Sequence, residues 1–398
     1  MTDNFSPYQK AIFDFVESGS GSGIVEAVAG SGKTTTIIKA CELIDPSLAT
    51  CFLAFNKSIA TELAERAPAH VACMTLNGLG HRSVLAQFGR LKLDANKTKN
   101  IVKMILPQSF SEVYSDTIKL IGLAKANGIA PSGYGYTSLN DDSSQNFQFL
   151  ADHYDLDITD KQIEGVYRYL IDALRIGIEQ TNLIDFDDQL YIPVVLNIPT
   201  KKFDWLMVDE AQDVAAIQRA LIRKALKSDG RLIAVGDPCQ AIYGFRGADS
   251  DSLVNIKNEF SAKTFPLSIS YRCSKAVVRK AQTVVNHIKS HDSAAEGSVK
   301  TLPHFDGSEF SQDDMIICRN TAPLISLAYS LIGRQIPCKV LGRDIGVGLI
   351  KLIDKLKARD ISGPDGLIRK LESWAQTETE RARDNGQEGK GQAIADKV

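Results

Sequence analysis

One stretch constrains this chain more than any other: Ala27-Val28-Ala29-Gly30-Ser31-Gly32-Lys33-Thr34. It follows an apolar run, Ile24 to Ala27, and opens a segment to Ile44 that reads as a helix closed by Pro46. Strand, glycine-rich turn and helix in that order are the context a phosphate-binding loop needs. Glycines let backbone N–H groups close around phosphate oxygens at a helix N-terminus, where the dipole favours an anion. Lys33 then reaches the β- and γ-phosphates of ATP, and the Thr34 hydroxyl ligates Mg²⁺. Ala29, Gly30, Ser31, Gly32 and Thr35 complete the cradle. The first loop position is Ala27, where the strict pattern has glycine. The plain alternative is an ordinary glycine-rich turn between a strand and a helix.

Two more stretches deliver polar groups from apolar strands. Trp205 to Val208 ends in Asp209-Glu210-Ala211-Gln212-Asp213. Beside a bound polyphosphate, Asp209 is placed to hold Mg²⁺ and Glu210 to orient and deprotonate a water. Acids also close many strands that bind nothing, so the pair gains its meaning from the phosphate loop. Ile233-Ala234-Val235 runs into Gly236-Asp237-Pro238-Cys239-Gln240-Ala241-Ile242-Tyr243-Gly244-Phe245-Arg246-Gly247. Gln240 is a candidate γ-phosphate sensor, and Phe245 and Arg246 present a stacking face and a cation. On residue chemistry alone Phe245 fits a core position equally.

Composition sets the limits around these motifs. The 398 residues are 44% hydrophobic and 24% charged, which excludes a mainly disordered chain and allows two or three domains. No apolar run reaches the ~18 residues of a membrane span, and Met1-Thr2-Asp3-Asn4 opens no secretory signal. Seven cysteines without a Cys-x-x-Cys pair, and six scattered histidines, fit reduced thiols in a cytoplasmic protein rather than a disulfide framework or zinc site. The net charge of −2 excludes a strongly basic protein by sum but not by distribution. Residues 257–300 carry eight Lys/Arg against three acids, and residues 140–188 twelve acids against three bases. Such runs mark either an electrostatic face or simply two solvated surfaces.

Along the chain, Ser6-Pro7 caps a helix over 6–17, and Thr50–Phe55 and Lys57–Arg66 read as strand and helix. That is the start of a parallel α/β sheet. Residues 85–182 are mostly helical, notably over 112–126 and 160–178, with a polar loop at 127–146. Strands return at 205–208 and 232–235. A strand–helix unit at 265–289, a strand from Met315 to Cys318 and a helix after Ala322 form a third region, followed by charged helices and a polar tail.

The ordered set AVAGSGKT, VDEAQD, GDPCQAIYGFRG and SYRCS (270–274) resembles UvrD/Rep-like superfamily 1 DNA helicases. Gln9, FLAFNKSIATELAER (52–66) and IDFDDQL (184–190) add to the match. The AFNK spelling is similar to the compact phage-like and F-box-DNA-helicase-like members. The resemblance covers residues 6 to about 343. It implies that Gln9 reads adenine, that Lys33 and Thr34 hold phosphate and Mg²⁺, and that Asp209 and Glu210 serve metal and water. It implies that Gln240 couples ATP to DNA, that Tyr271 stacks on the base, and that Arg272 reaches the γ-phosphate. For single-stranded DNA it implies Phe55, Asn56, Thr75, Tyr243, Phe245 and Arg246. Base–aromatic stacking is worth ~1–3 kcal/mol and ignores sequence, as a motor on DNA requires.

The implied architecture is a RecA-like ATP-binding domain over about 1–84 and 183–264, split by a helical insertion at 85–182. A partial second RecA-like domain follows over 265–345, and a helical remnant over 346–398. The acidic run would face away from DNA, and the basic run ATP or DNA. The implied activity is ATP-driven movement on single-stranded DNA, 3′ to 5′, in a cytoplasmic, DNA-associated protein with no membrane partner. This sequence departs from the family at Thr75-Leu76-Asn77, where the pattern has Thr-x-His. It also lacks the Thr-x-His-x-x-Lys-Gly-Leu-Glu and Val-Ala-x-Thr-Arg-Ala stretches. The second arginine finger is therefore expected to be missing, turnover by this chain alone to be weak, and a nucleotide-gated DNA-binding module without unwinding stays open. A P-loop kinase is disfavoured, because Gln9, Tyr271-Arg272 and the GDPCQ-to-FRG stretch are no kinase requirement.

Overall fold

A computed structural model describes residues 5–134, 140–241, 251–302, 310–311, 314–318, 321–340, 369–370, 372–374, 376–377 and 379–380. The chain divides into two units, Met1–Val299 and Lys300–Val398.

The first unit is built on six parallel strands: β1 (Gly23–Ala27), β2 (Thr50–Ala54), β3 (Val71–Thr75), β6 (Phe203–Val208), β7 (Leu226–Gly236) and β8 (Lys263–Leu267). Two short strands, β4 (Lys92–Leu93) and β5 (Leu183–Ile184), pair separately. The large sheet runs β3-β2-β6-β7-β1-β8. Because every neighbouring pair is parallel, all six C-terminal ends lie on one edge. That edge is where open α/β sheets hold ligands.

Alternation along each strand builds two cores. Ile24, Cys51, Leu53, Leu206, Val208, Leu232 and Ala234 join one cluster, and Val25, Ala27, Phe52, Ala54, Trp205, Met207, Ile233 and Val235 join the other. Strands buried on both faces need near-continuous apolar runs, and these sequences supply them. Helices α1 (Pro7–Ser18), α2 (Lys33–Glu42) and α3 (Lys57–Arg66) cover the second face.

The first face is covered by α4 (Leu76–Phe88), α10 (Ala216–Ala225) and α11 (Ser252–Glu259), and the insertion helices α5 (Lys97–Ile105), α6 (Tyr114–Ala126), α7 (Ser144–His153) and α8 (Asp160–Glu179) pack beyond them. Their apolar residues and those of the sheet form one continuous cluster. A buried charged knot strengthens the join to α9 (Asp188–Val195). Lys97 Nζ lies 2.6 Å from Asp188, and Lys125 Nζ lies 2.8 Å from Asp188 and 2.9 Å from Asp185. Thr98 donates to Asp185 at 2.6 Å. Two carboxylates of the acidic run are thus neutralised internally, and do not form a solvated face turned away from DNA.

Two further expectations change. The strand expected to open the third region is β8, which pairs along the free side of β1, and its unit continues to Val299. A sequence boundary at 264 therefore falls inside a strand of the first sheet. In the second unit Thr321–Gly333 form a helix, but Met315 to Cys318 are irregular, with Met315 and Ile317 exposed. Their apolar run resembles a strand, yet no strand among the described residues pairs with it. All seven cysteines are free, and no helix among the described residues is long and apolar enough to cross a membrane.

Candidate nucleotide site at the sheet edge

The phosphate loop leaves β1 and enters α2 through two left-handed glycines, Gly30 at φ 73° and Gly32 at φ 76°. Gly32 is the N-cap of α2, so the helix starts on bare backbone N–H groups. Gly30 is fixed by contact as well as by φ. A Cβ there would sit 2.6 Å from Arg272 Cβ, and its carbonyl accepts from Tyr271 N at 2.8 Å. The loop and the Ser270-Tyr271-Arg272 segment are therefore packed backbone to backbone. Within the loop the Ser31 hydroxyl is buried without a hydrogen-bond partner. Arg272 is exposed and makes no ion pair among the described residues.

Across the edge, Lys33 Nζ pairs with Glu210 Oε2 at 3.1 Å. Glu210 sits at φ 48°, ψ 45°, a left-handed conformation that costs a side-chain-bearing residue on the order of 1–3 kcal/mol. It is held there from both sides. Its N–H donates to Asp209 Oδ1 at 3.0 Å, and Gln212 Nε2 donates to its Oε2 at 2.9 Å. Burial, and then the Glu210 charge, push the Asp209 carboxyl up to about 6. A buried carboxyl short of positive charge, next to a phosphate cradle, fits a hard divalent cation that keeps most of its ligands as water and phosphate. Thr34 and Asp209 are the residues that would hold Mg²⁺. Among the described residues no group of three or more His, Cys, Asp or Glu forms a separate metal cluster.

Gln212 is a residue to which sequence reasoning gave no role. It is buried, bridges Glu210 and Asp213, and accepts from Asp237 N at 3.1 Å. Gly236 packs directly against it: a Cβ there would come within 2.5 Å of Gln212 Oε1. Gln240 reaches the same edge, exposed, with its amide donating to Asp237 Oδ2 at 2.6 Å. At the outer end Gln9 is 5% exposed, and the Tyr271 hydroxyl donates to its Oε1 at 3.4 Å. Tyr271 is 42% exposed and packs against His291, ring centroids 5.0 Å apart. Thr35 is exposed.

The residues expected to meet DNA divide three ways. Asn56 and Thr75 are helix N-caps, accepting from Ile59 N and Gly78 N at 2.9 Å each. Phe55 and Asn56 line a cavity of about 340 Å³ with Asn77, Lys125, Phe186 and Asp187. Phe186, also without an assigned role, is 54% exposed there, and Asn77 donates to its carbonyl at 2.8 Å. The histidine-to-asparagine departure thus has a structural use. Tyr243, Phe245 and Arg246 lie outside the described residues.

The UvrD/REP helicase N-terminal domain family matches residues 8–261. The chain is 24% identical over 299 residues to the ATP-dependent DNA helicase Rep of Buchnera aphidicola, covering 71% of this chain and 43% of that protein. It is 26% identical over 340 residues to F-box DNA helicase protein 1 of Schizosaccharomyces pombe, covering 80% and 38%. Against DNA helicase II of Escherichia coli it is 26% identical over 292 residues, covering 66% and 38%. The chain therefore spans less than half the length of these relatives. With a matched region that takes in the whole phosphate loop, the Asp209-Glu210 edge and Gln240, the chain belongs to the UvrD/REP helicase family.

Proposed function

We propose that this chain carries the ATP-hydrolysing half-site of a DNA helicase and couples it to single-stranded DNA, moving 3′ to 5′. The observation that carries the reading is the Lys33–Glu210 pair at the mouth of the phosphate loop. A polyphosphate entering the loop competes for the Lys33 ammonium, because charge-assisted bonds to phosphate are strong and the loop N–H groups add to them. Lys33 then turns to the β- and γ-phosphates and leaves Glu210. That carboxylate, still oriented by Gln212, becomes the acceptor for the proton of an attacking water. The Ser31 hydroxyl gains a phosphate partner, and Arg272 adds a cation beside Gly30. Mg²⁺, when bound, neutralises charge developing between the phosphates. Glu210, Gln212 and Asp213 run in line from this edge towards the cavity of Phe55 and Phe186, which also includes Asp213. Two exposed or half-buried rings in one groove suit splayed bases of a single strand.

The test is ATP turnover with and without single-stranded DNA of mixed sequence. Stimulation by the single strand, and not by blunt duplex, is expected. Turnover indifferent to DNA, or phosphate delivered to a small acceptor instead of water, would overturn the reading.

A further inference from the structure

The base end of the site holds an arrangement that the phosphate chemistry does not use. The amide of Gln9 is clamped at both ends by groups whose donor or acceptor role is fixed. Ser6 N, a backbone N–H that can only donate, lies 2.9 Å from Gln9 Oε1. The amide oxygen must therefore point to the helix start, and the nitrogen the other way. There Nε2 donates to Thr36 Oγ1 at 3.0 Å. The Thr36 hydroxyl proton is itself committed to Gly32 O at 2.9 Å, so towards Gln9 this oxygen is an acceptor. Thr36 is fully buried. The relay runs from a phosphate-loop carbonyl through Thr36 to Gln9, and on from Oε1 to the Tyr271 hydroxyl at 3.4 Å.

The direction of that amide decides which purine fits. Adenine presents a donor at N6 beside the N7 acceptor, whereas guanine presents an acceptor at O6 beside N7. Oε1 also accepts from Ser6 Oγ at 3.2 Å, and an amide in this orientation that offers a base its Oε1 and the second Nε2 hydrogen matches N6 and N7 of adenine. Tyr271, the longest of the contacts to Oε1, is the one that yields. Guanine would set O6 against Oε1, lone pair to lone pair. The reversed amide would accept guanine instead. We propose that Thr36 is a specificity-determining positioning residue, which fixes the orientation of the Gln9 amide and so makes the site select adenine over guanine nucleotides. This rests on the reading of Gln9 as the group that meets the base. Thr36 touches neither base nor phosphate; it acts through Gln9.

The experiment is equilibrium displacement of a fluorescent ATP analogue from the full chain by ATP and by GTP, with Mg²⁺ present. The quantity read is the GTP-to-ATP ratio of dissociation constants, which a loss of folded protein would not change. Thr36→Val keeps the shape and removes the acceptor, and is expected to reduce the ratio about five- to tenfold, chiefly by weakening ATP. Thr36→Ser should restore it, and Gln9→Ala should abolish the preference. Thr36→Ala gives the same reading should the valine variant not fold. If Thr36→Val and Thr36→Ala keep the parental ratio while Gln9→Ala loses it, Thr36 does not position the amide, and Gln9 still reads the base. If Gln9→Ala itself keeps the parental ratio, the assignment of Gln9 fails and takes the proposal with it.

Discussion

Glu210 is held in a conformation that most residues avoid, by partners that also fix where its carboxylate points. Strain of that kind persists where the surroundings over-determine it, and a water-activating carboxylate is such a place. Glu210→Gln keeps the shape and a hydrogen bond but removes the proton acceptor. Nucleotide binding should survive, and single-turnover hydrolysis should fall by about 10²- to 10⁴-fold. Parental hydrolysis in that variant would remove Glu210 from the reaction. The placement of Lys33, Asp209 and Glu210 at one sheet edge follows from their fixed offsets to a turn and a strand end, and that of Arg272 from the resemblance carried by SYRCS. Gln212 and Thr36 are not legible in that way. Their roles come from contacts with Asp237, 25 positions away, and with Gln9, 27 positions away, which no local pattern announces.

Elements show the same division between local and distant causes. Helices α1, α2, α3 and α8 could be read because caps and periodicity are written within a few residues; Ser6 and Thr159 both form capping boxes. Strand β3, Val71–Thr75, carries no such signal, since five residues without a turn signal resemble any short apolar stretch until β2 takes their backbone. In the knot, Asp185 and Asp188 belong to the acidic run of 140–188, whereas their partners Lys97 and Lys125 lie outside it, so no count along the run pairs them. Burial makes the knot consequential, because removing one partner strands a charge in the interior. Lys125→Met should lower unfolding free energy by about 3–5 kcal/mol, seen as an earlier denaturant midpoint. Losses under 1 kcal/mol would mean that water reaches the cluster. The knot also sets an acid limit. Burial works against the charged form of Asp185, but Lys125 and the hydroxyl of Thr98 more than offset it and hold its carboxyl below the usual range. A carboxyl lowered in the folded state contributes its stability above the unfolded pKa of about 3.9 and loses it as pH falls through the folded value. Acid unfolding of Lys125→Met should therefore begin at higher pH than in the parent.

At the scale of the whole first unit, parallel topology places the nucleotide edge and the aromatic cavity at the ends of the same strands. Glu210 follows β6 on one side, and Phe55 follows β2, its neighbour in the sheet, on the other. The turn before α9 lines the cavity through Phe186 and Asp187, and α6 of the insertion through Lys125. Phe186 has its carbonyl tied down by Asn77 and follows Asp185, which is anchored in the charged knot, so its ring is presented from a rigid turn. A ring held in that way loses little conformational freedom on stacking with a base, so most of the stacking energy is available for binding. Phe186→Ala should therefore weaken single-stranded DNA binding by about 1–3 kcal/mol, roughly equally for every base composition. The number of phosphate contacts would be unchanged, so the slope of log affinity against log salt should stay parental. Nucleotide affinity without DNA should also stay parental, because Phe186 contributes nothing to the phosphate loop. Fluorescence anisotropy on short oligonucleotides across a salt series measures both affinity and slope. An unchanged affinity would place the single strand elsewhere on the unit. A changed slope with unchanged affinity at low salt would make the groove an electrostatic path rather than a stacking one.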